Sequence, residues 1–209
     1  MVFTSVTEFQ FNIKINNYMY KHFFKRVIDF TITLVGFILI SPIFLVLCIL
    51  VRCKLGSPIF FPQIRIGKDE KPFKMLKFRT MTDARDKDGN LLPDNERFTK
   101  FGNFMRNASL DELPELVNVI KGDMSLVGPR PERPQYVEKF REEIPRYMIK
   151  HQVRPGMTGW AQVNGYRGDT SIRKRIEHDL YYIENWTLGL DIKILFLTVF
   201  KGFINKNAY

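Results

Sequence analysis

FILISPIFL, residues 37–45, lies at the centre of an uncharged run from Phe30 to Val51. Drawn as one straight helix, those 22 residues extend about 33 Å, enough to cross the hydrocarbon core of a bilayer. That length argues against a buried helix of a soluble protein. The run starts too far from Met1 for a secretory signal, and no small-residue cleavage site follows it. Two features argue against a plain crossing. The flanks are basic on both sides, Lys25-Arg26 before and Arg52 and Lys54 after, whereas the positive-inside rule asks for asymmetry. Pro42 also removes a backbone N–H and crowds the preceding turn near Ile38, and Ser41 is placed to satisfy a carbonyl freed in this way. Two courses stay open on these grounds: a kinked spanning helix, or a helix-break-helix that enters and returns on the same side. Asp29, one turn after Lys25 and Arg26, reads as a partner for those charges or for the headgroup layer.

The remainder has the composition of a globular protein. Of the 209 residues, 45% are apolar and 26% charged, and the net charge of +10 suits an anionic partner such as a lipid surface or a phosphorylated small molecule. The basic residues are spread along the chain and no nucleic-acid motif accompanies them, so nucleic acid is not an expected partner. Cys48 and Cys53 lie in or beside the apolar run, which excludes a disulfide framework and a cysteine zinc site. His22, His151 and His178 form no HExxH pattern.

Past Ser57-Pro58 the pattern is that of a mixed, mainly helical α+β domain. Residues 59–66 and 73–81 read as extended partners around the turn 67–71, and 83–94 as a charged loop. Helices are expected over 96–105, 110–120 and 134–143, and one helical face carries Ile172, Ile176, Leu180 and Ile183. Gly156, Gly159 and Gly165 read as turns. The apolar stretch 188–204 is interrupted by Asp191 and Lys193. Trp186 before it and Lys201 and Lys206 after it fit either a helix lying in the membrane interface or an amphipathic core helix.

The densest carboxylate cluster is Ser109-Leu110-Asp111-Glu112-Leu113-Pro114-Glu115. Taken alone it is a capping box, Ser109 with Glu112, and acids in a first turn complement the helix dipole. The chemical alternative makes one carboxylate a nucleophile and its neighbour a metal ligand, which requires nearby cations. Lys77, Arg106 and Arg130 are available, the last on the rigid turn Gly128-Pro129-Arg130-Pro131. There is no P-loop and no dinucleotide fingerprint.

In order along the chain, KRVIDF, the Ser41-Pro42 break, GSPIFFPQIRIG, FKMLKFRTM, SLDELPELVNVIKGDMSLVGPRP and VRPGMTGWAQVNG resemble the bacterial sugar transferases, the monotopic phosphoglycosyl transferases that act on polyprenyl phosphate. The resemblance runs from about Lys25 to Phe203. It implies an N-terminal extension (1–24), a re-entrant membrane helix (25–54) broken at Ser41-Pro42, and a catalytic domain (57–209) resting on interfacial helices at the cytoplasmic face of the bacterial inner membrane. It implies Asp111 as nucleophile, Glu112 as ligand of Mg2+, and Lys77, Arg106 and Arg130 as phosphate-binding residues. The implied substrates are a UDP-sugar and undecaprenyl phosphate, with UMP released. The product would begin a surface glycan that downstream glycosyltransferases extend. The block 164–199 looks closest to the catalytic domains of larger hexose-1-phosphate transferases, without their added N-terminal membrane domain, which leaves the sugar open between a hexose and a modified amino sugar. The oligomeric state is not legible. A reading from another class, a basic adaptor that binds anionic lipids, accounts for the charge and the apolar run but makes no use of Asp111-Glu112.

Overall fold

The computed structural model describes residues 18–168 and 170–202. Most of the expected N-terminal extension, and the positions Ile204 and Lys206, lie outside the described residues. The architecture is α+β and mainly helical, with one long helix, two small two-stranded sheets and a set of short helices.

The long helix, α1, is Lys25–Leu55, entered through a π-helical turn at Tyr20–Phe24. Its most apolar 18-residue window has a mean hydropathy of 3.0, and only 11% of that window is buried. A soluble core helix would hide those side chains. The helix ladder runs through Pro42, so the expected break is a proline inside one helix and not a gap between two. The reason is local. Pro42 has no N–H for the carbonyl of Ile38, and the Ser41 hydroxyl donates to that same carbonyl at 2.7 Å.

Both ends of α1 pack on the same body. At the start, the Arg26 guanidinium donates to the carbonyls of Val119 and Ile120 at 2.5 and 2.7 Å. At the far end, Leu47, Val51 and Leu55, one helical face at i, i+4, i+8, form a core cluster with Phe78 and Met105. Between them Leu34, Val35, Ile38, Leu39, Ile43, Leu45 and Val46 are exposed.

Strands β1 (Phe60–Ile66) and β2 (Pro72–Phe78) form the antiparallel hairpin, with Phe61 opposite Lys77 and Arg65 opposite Phe73. The helix expected over 96–105 is two pieces, a single turn at Asp94–Arg97 and α2 at Lys100–Asn107. Phe98 and Thr99 between them are extended, and Thr99 caps α2 by accepting from Gly102 N at 3.0 Å. Helix α3 is Glu115–Lys121, followed by β3 (Ser125–Val127), α4 (Pro134–Glu143), β4 (Gly156–Thr158), α5 (Ile172–Glu184) and α6 (Leu188–Gly202).

Strands β3 and β4 are parallel, which corrects the reading of Gly156 as a turn. A Cβ on Gly156 would lie 2.1 Å from the amide nitrogen of Gly128, and one on Gly159 would lie 2.2 Å from the Gly128 carbonyl oxygen. These glycines are there for close backbone approach, which lets residues 156–159 clamp the Gly-Pro-Arg-Pro turn.

Candidate active site

The site begins with how α3 is held. Asn118 is buried, its side chain accepting from Leu76 N at 2.9 Å and donating to the carbonyl of Lys74 at 2.8 Å. It thereby acts as an added strand residue along β2 and docks α3 beside Lys77. The other end of α3 stops at Gly122 (φ 95°), a conformation glycine adopts freely. Arg26 covers the last carbonyls of α3, and Arg154 donates to Gly122 O at 3.0 Å.

The segment before α3 departs from the sequence reading. Leu110–Glu112 is a 3-10 turn, and the α-helix begins only at Glu115. Ser109 takes a left-handed conformation (φ 54°) and makes no cap hydrogen bond, so the capping box does not form. Pro114, which has no N–H to give a preceding helical turn, is the helix N-cap. The turn carries both acids inward, leaving Asp111 4% and Glu112 7% exposed.

Glu112 is surrounded by cations. Lys77 Nζ lies 2.7 Å from Oε1, Arg130 pairs with the same oxygen, and Arg167 lies 2.8 Å from Oε2. Burial alone would raise its pKa, but Arg130, Lys77 and Arg167 hold the carboxyl well below the usual range. Asp111 is the opposite case. Its burial outweighs the pull of Lys77, Arg106 and Arg167 and raises its pKa. Its Oδ1 is buried with no hydrogen-bond partner among the described residues. Beneath them lies Glu115, fully buried and 3.5 Å from Lys77 Nζ. Burial, with the Glu112 charge adding to it, pushes Glu115 up to about 7.

Asp111 borders a cavity of about 1000 Å³ that is also lined by Lys77, Arg106, Arg130 and Arg167. The structure therefore brings together the five residues singled out in the sequence. Arg106 stands apart from the carboxylates. Its Nε donates to Thr80 Oγ1 at 3.0 Å and its guanidinium lies 4.4 Å from the centroid of the Phe98 ring. Sequence reading missed Arg167 and Glu115. Nothing distinguished Arg167 from a surface cation, because its approach to Glu112 depends on the loop after Gly165. In the sequence Glu115 reads only as one of the acids of a polar first turn, and its depth comes from packing.

A carboxylate that lines the cavity and has one oxygen without a hydrogen-bond partner among the described residues, beside a cationic rim, suits attack on a polyanion whose charge the rim neutralises. Among the described residues no group of three or more His, Cys, Asp or Glu side chains could hold a metal ion. Mg2+ takes one or two carboxylates together with substrate phosphates; here both Glu112 oxygens are held by Lys77, Arg130 and Arg167, while Asp111 Oδ1 beside it has no hydrogen-bond partner among the described residues.

Comparison with known proteins identifies the family. The family model for bacterial sugar transferases matches residues 20–205. A UDP-glucose:undecaprenyl-phosphate glucose-1-phosphate transferase of Klebsiella pneumoniae is 50% identical over 192 residues, covering 89% of this chain and 41% of the relative. The protein named uncharacterized sugar transferase EpsL of Bacillus subtilis (strain 168) is 50% identical over 182 residues, 87% of this chain and 88% of the relative. A UDP-N-acetylgalactosamine-undecaprenyl-phosphate N-acetylgalactosaminephosphotransferase of Aeromonas hydrophila is 43% identical over 181 residues, 85% of this chain and 43% of the relative. The chain thus spans less than half the length of the first and third of these and most of the second. With the family model matched over nearly all the chain, this protein belongs to the bacterial sugar transferase family.

Proposed function

We propose that the chain transfers a sugar-1-phosphate from a UDP-sugar to undecaprenyl phosphate, releasing UMP and forming undecaprenyl-diphosphate-sugar. Family membership and the names of the relatives support the reaction class. The observation that carries the reading is Asp111, which lines a cationic cavity, has a buried Oδ1 without a hydrogen-bond partner among the described residues, and sits beside Glu112.

In the first step a carboxylate oxygen of Asp111 attacks the phosphorus that bears the sugar. A phosphorus–oxygen bond to Asp111 forms, the bond to the UMP oxygen breaks, and UMP leaves. In the second step an oxygen of the lipid phosphate attacks the same phosphorus and Asp111 departs as carboxylate. Dividing the transfer lets one site serve a soluble donor and a membrane-bound acceptor in turn. Lys77, Arg106 and Arg130 neutralise the diphosphate, and Arg167 adds a fourth charge. When bound at Glu112, Mg2+ supplies Lewis-acid neutralisation of the leaving group.

A site shared with a lipid belongs at the headgroup plane of the bacterial inner membrane, on its cytoplasmic face. Both ends of α1 rest on the catalytic body, and Ser41 covers the Ile38 carbonyl at Pro42. These contacts support a re-entrant course. The exposed apolar side chains Ile192, Phe196, Val199 and Phe200 on α6 support an interfacial helix. The product would begin a capsule, exopolysaccharide or O-antigen chain. The adaptor reading leaves the Asp111-Glu112 geometry without a use.

The test is isotope exchange. Labelled UMP should enter the UDP-sugar with no polyprenyl phosphate present, the exchange should stop in excess chelator, and Asp111→Asn should abolish it. Exchange that requires the lipid would replace the covalent route by direct displacement. Running the assay over UDP-glucose, UDP-galactose and their N-acetylated counterparts identifies the sugar.

A further inference from the structure

The catalytic cluster occupies only part of the cavity. The β1–β2 hairpin gives the cavity a direction. At one end Phe44 of α1 stacks on Phe60 and packs against Phe78, so this end adjoins the apolar helix. Lys77 is the next residue in from Phe78, opposite Phe61. Arg65, also a lining residue, is four residues farther along β1 from Phe61, about 13 Å at the rise of a strand. The cavity therefore continues past the carboxylates, away from the membrane helix.

That remote end is rigid. Arg65 donates to Pro131 O at 3.0 Å, and Glu132, from the turn that carries Arg130, is buried against Arg175 at 2.7 Å. Ile66 N donates to Glu132 O at 3.0 Å and ties β1 to the approach of α4. The first turn of α4 presents Tyr136 to the cavity, with the residue 41% exposed. Its ring is set by a stack on Phe140 (centroids 6.0 Å, planes 14° apart), and Phe140 packs edge-on against the buried Tyr147. An aromatic plane held from behind and open in front costs little further ordering when a flat ligand stacks on it.

We propose that Tyr136 is the platform for the nucleobase of the donor. This rests on the UDP-sugar reading above and assigns the two ends of the cavity. The lipid phosphate enters from the Phe60–Phe78 end, the reacting diphosphate lies at Lys77 and Asp111, and the nucleoside extends toward Arg65 and Tyr136. Uracil offers a π face to the ring and needs no apolar pocket.

The test uses the full-length protein in detergent, with titration calorimetry of UMP and, as a base-free control, ribose 5-phosphate. Tyr136→Ala should weaken UMP about ten-fold and leave ribose 5-phosphate unchanged. Tyr136→Phe should restore most of the UMP affinity lost in Tyr136→Ala, which separates stacking from the phenol hydroxyl. Tyr136→Leu, which keeps apolar contact with Phe140, should fail to restore it, and unchanged ribose 5-phosphate affinity in each variant excludes a folding defect. UMP affinity within about two-fold of wild type in Tyr136→Ala, or an equal loss for both ligands, overturns the assignment. Wild-type protein that exchanges UMP normally alongside that result leaves the proposed reaction standing. Wild-type protein that neither binds UMP nor exchanges it overturns both.

Discussion

Glu115 is a carboxyl buried beside Glu112 and Lys77. It is fully buried, and its pKa is pushed up to about 7. A carboxyl whose folded value lies above its unfolded value near 4.5 makes the folded state bind the extra proton. Stability from this group is full below the unfolded value and falls as pH rises through 7. Glu115→Gln, which keeps the volume and removes the titration, should flatten that fall and melt several degrees higher than wild type at pH 8, with little difference at pH 5. Melting curves of the two proteins across this range are the check, and parallel pH profiles would refute the assignment. The same residue was visible in the sequence only as one of three acids near a helix start. All three are buried; the cations that reach each one separate them, and those cations come from distant parts of the chain.

At the scale of elements, the start of α1 is fastened to the opposite end of the chain. Lys25 Nζ lies 3.0 Å from Asp29 and 2.9 Å from Asp191 of α6, all three residues being buried. Asp191 also accepts from Tyr182 Oη at 2.8 Å and from Tyr20, and Asp29 accepts from Ser125 Oγ at 2.7 Å. Asp29 thus has the Lys25 partner its spacing suggested, together with a hydroxyl from β3 that no spacing could announce. Asp191, read as an interruption of an apolar stretch, is the centre of the joint between α1, α5 and α6. Removing one member of a buried, fully bonded set leaves the others uncompensated, at a cost of about 3–5 kcal/mol. Asp191→Ala should therefore lower the melting temperature of the detergent-solubilised protein by roughly 10 °C. A melt within a degree or two of wild type would show that the joint adds nothing.

At the scale of the whole molecule, α1 is about 46 Å long if straight, yet its two ends meet the same body through Arg26 and through Val51. A helix crossing the bilayer would carry one end about 30 Å from a domain on the other face. Both basic flanks are therefore expected on the cytoplasmic side. Single cysteines at Lys21 and Lys54, in a background without Cys48 and Cys53, should resist an impermeant thiol reagent in intact cells and react in inverted vesicles. Labelling of one flank from outside the cell would establish a spanning helix instead.

The sequence by itself determined the elements whose cause is local. The lipid character of α1 follows from 22 uncharged residues, the Ser41 bond to Ile38 from a proline and its neighbour, and the hairpin from apolar runs around a turn. The residues alone leave Asp111-Glu112 open between a capping box and a catalytic pair; the resemblance of the ordered motifs is what places Lys77, Arg106, Asp111, Glu112 and Arg130 in one candidate site. Only the tertiary structure decided that Ser109 caps nothing, that Arg167 reaches Glu112, that Glu115 is buried, and that Gly156 and Gly128 touch. Each of these depends on side chains or backbones brought together from distant parts of the chain. Hydrophobic periodicity reports which face of an element is buried, but not which partner covers it or which charge that partner brings.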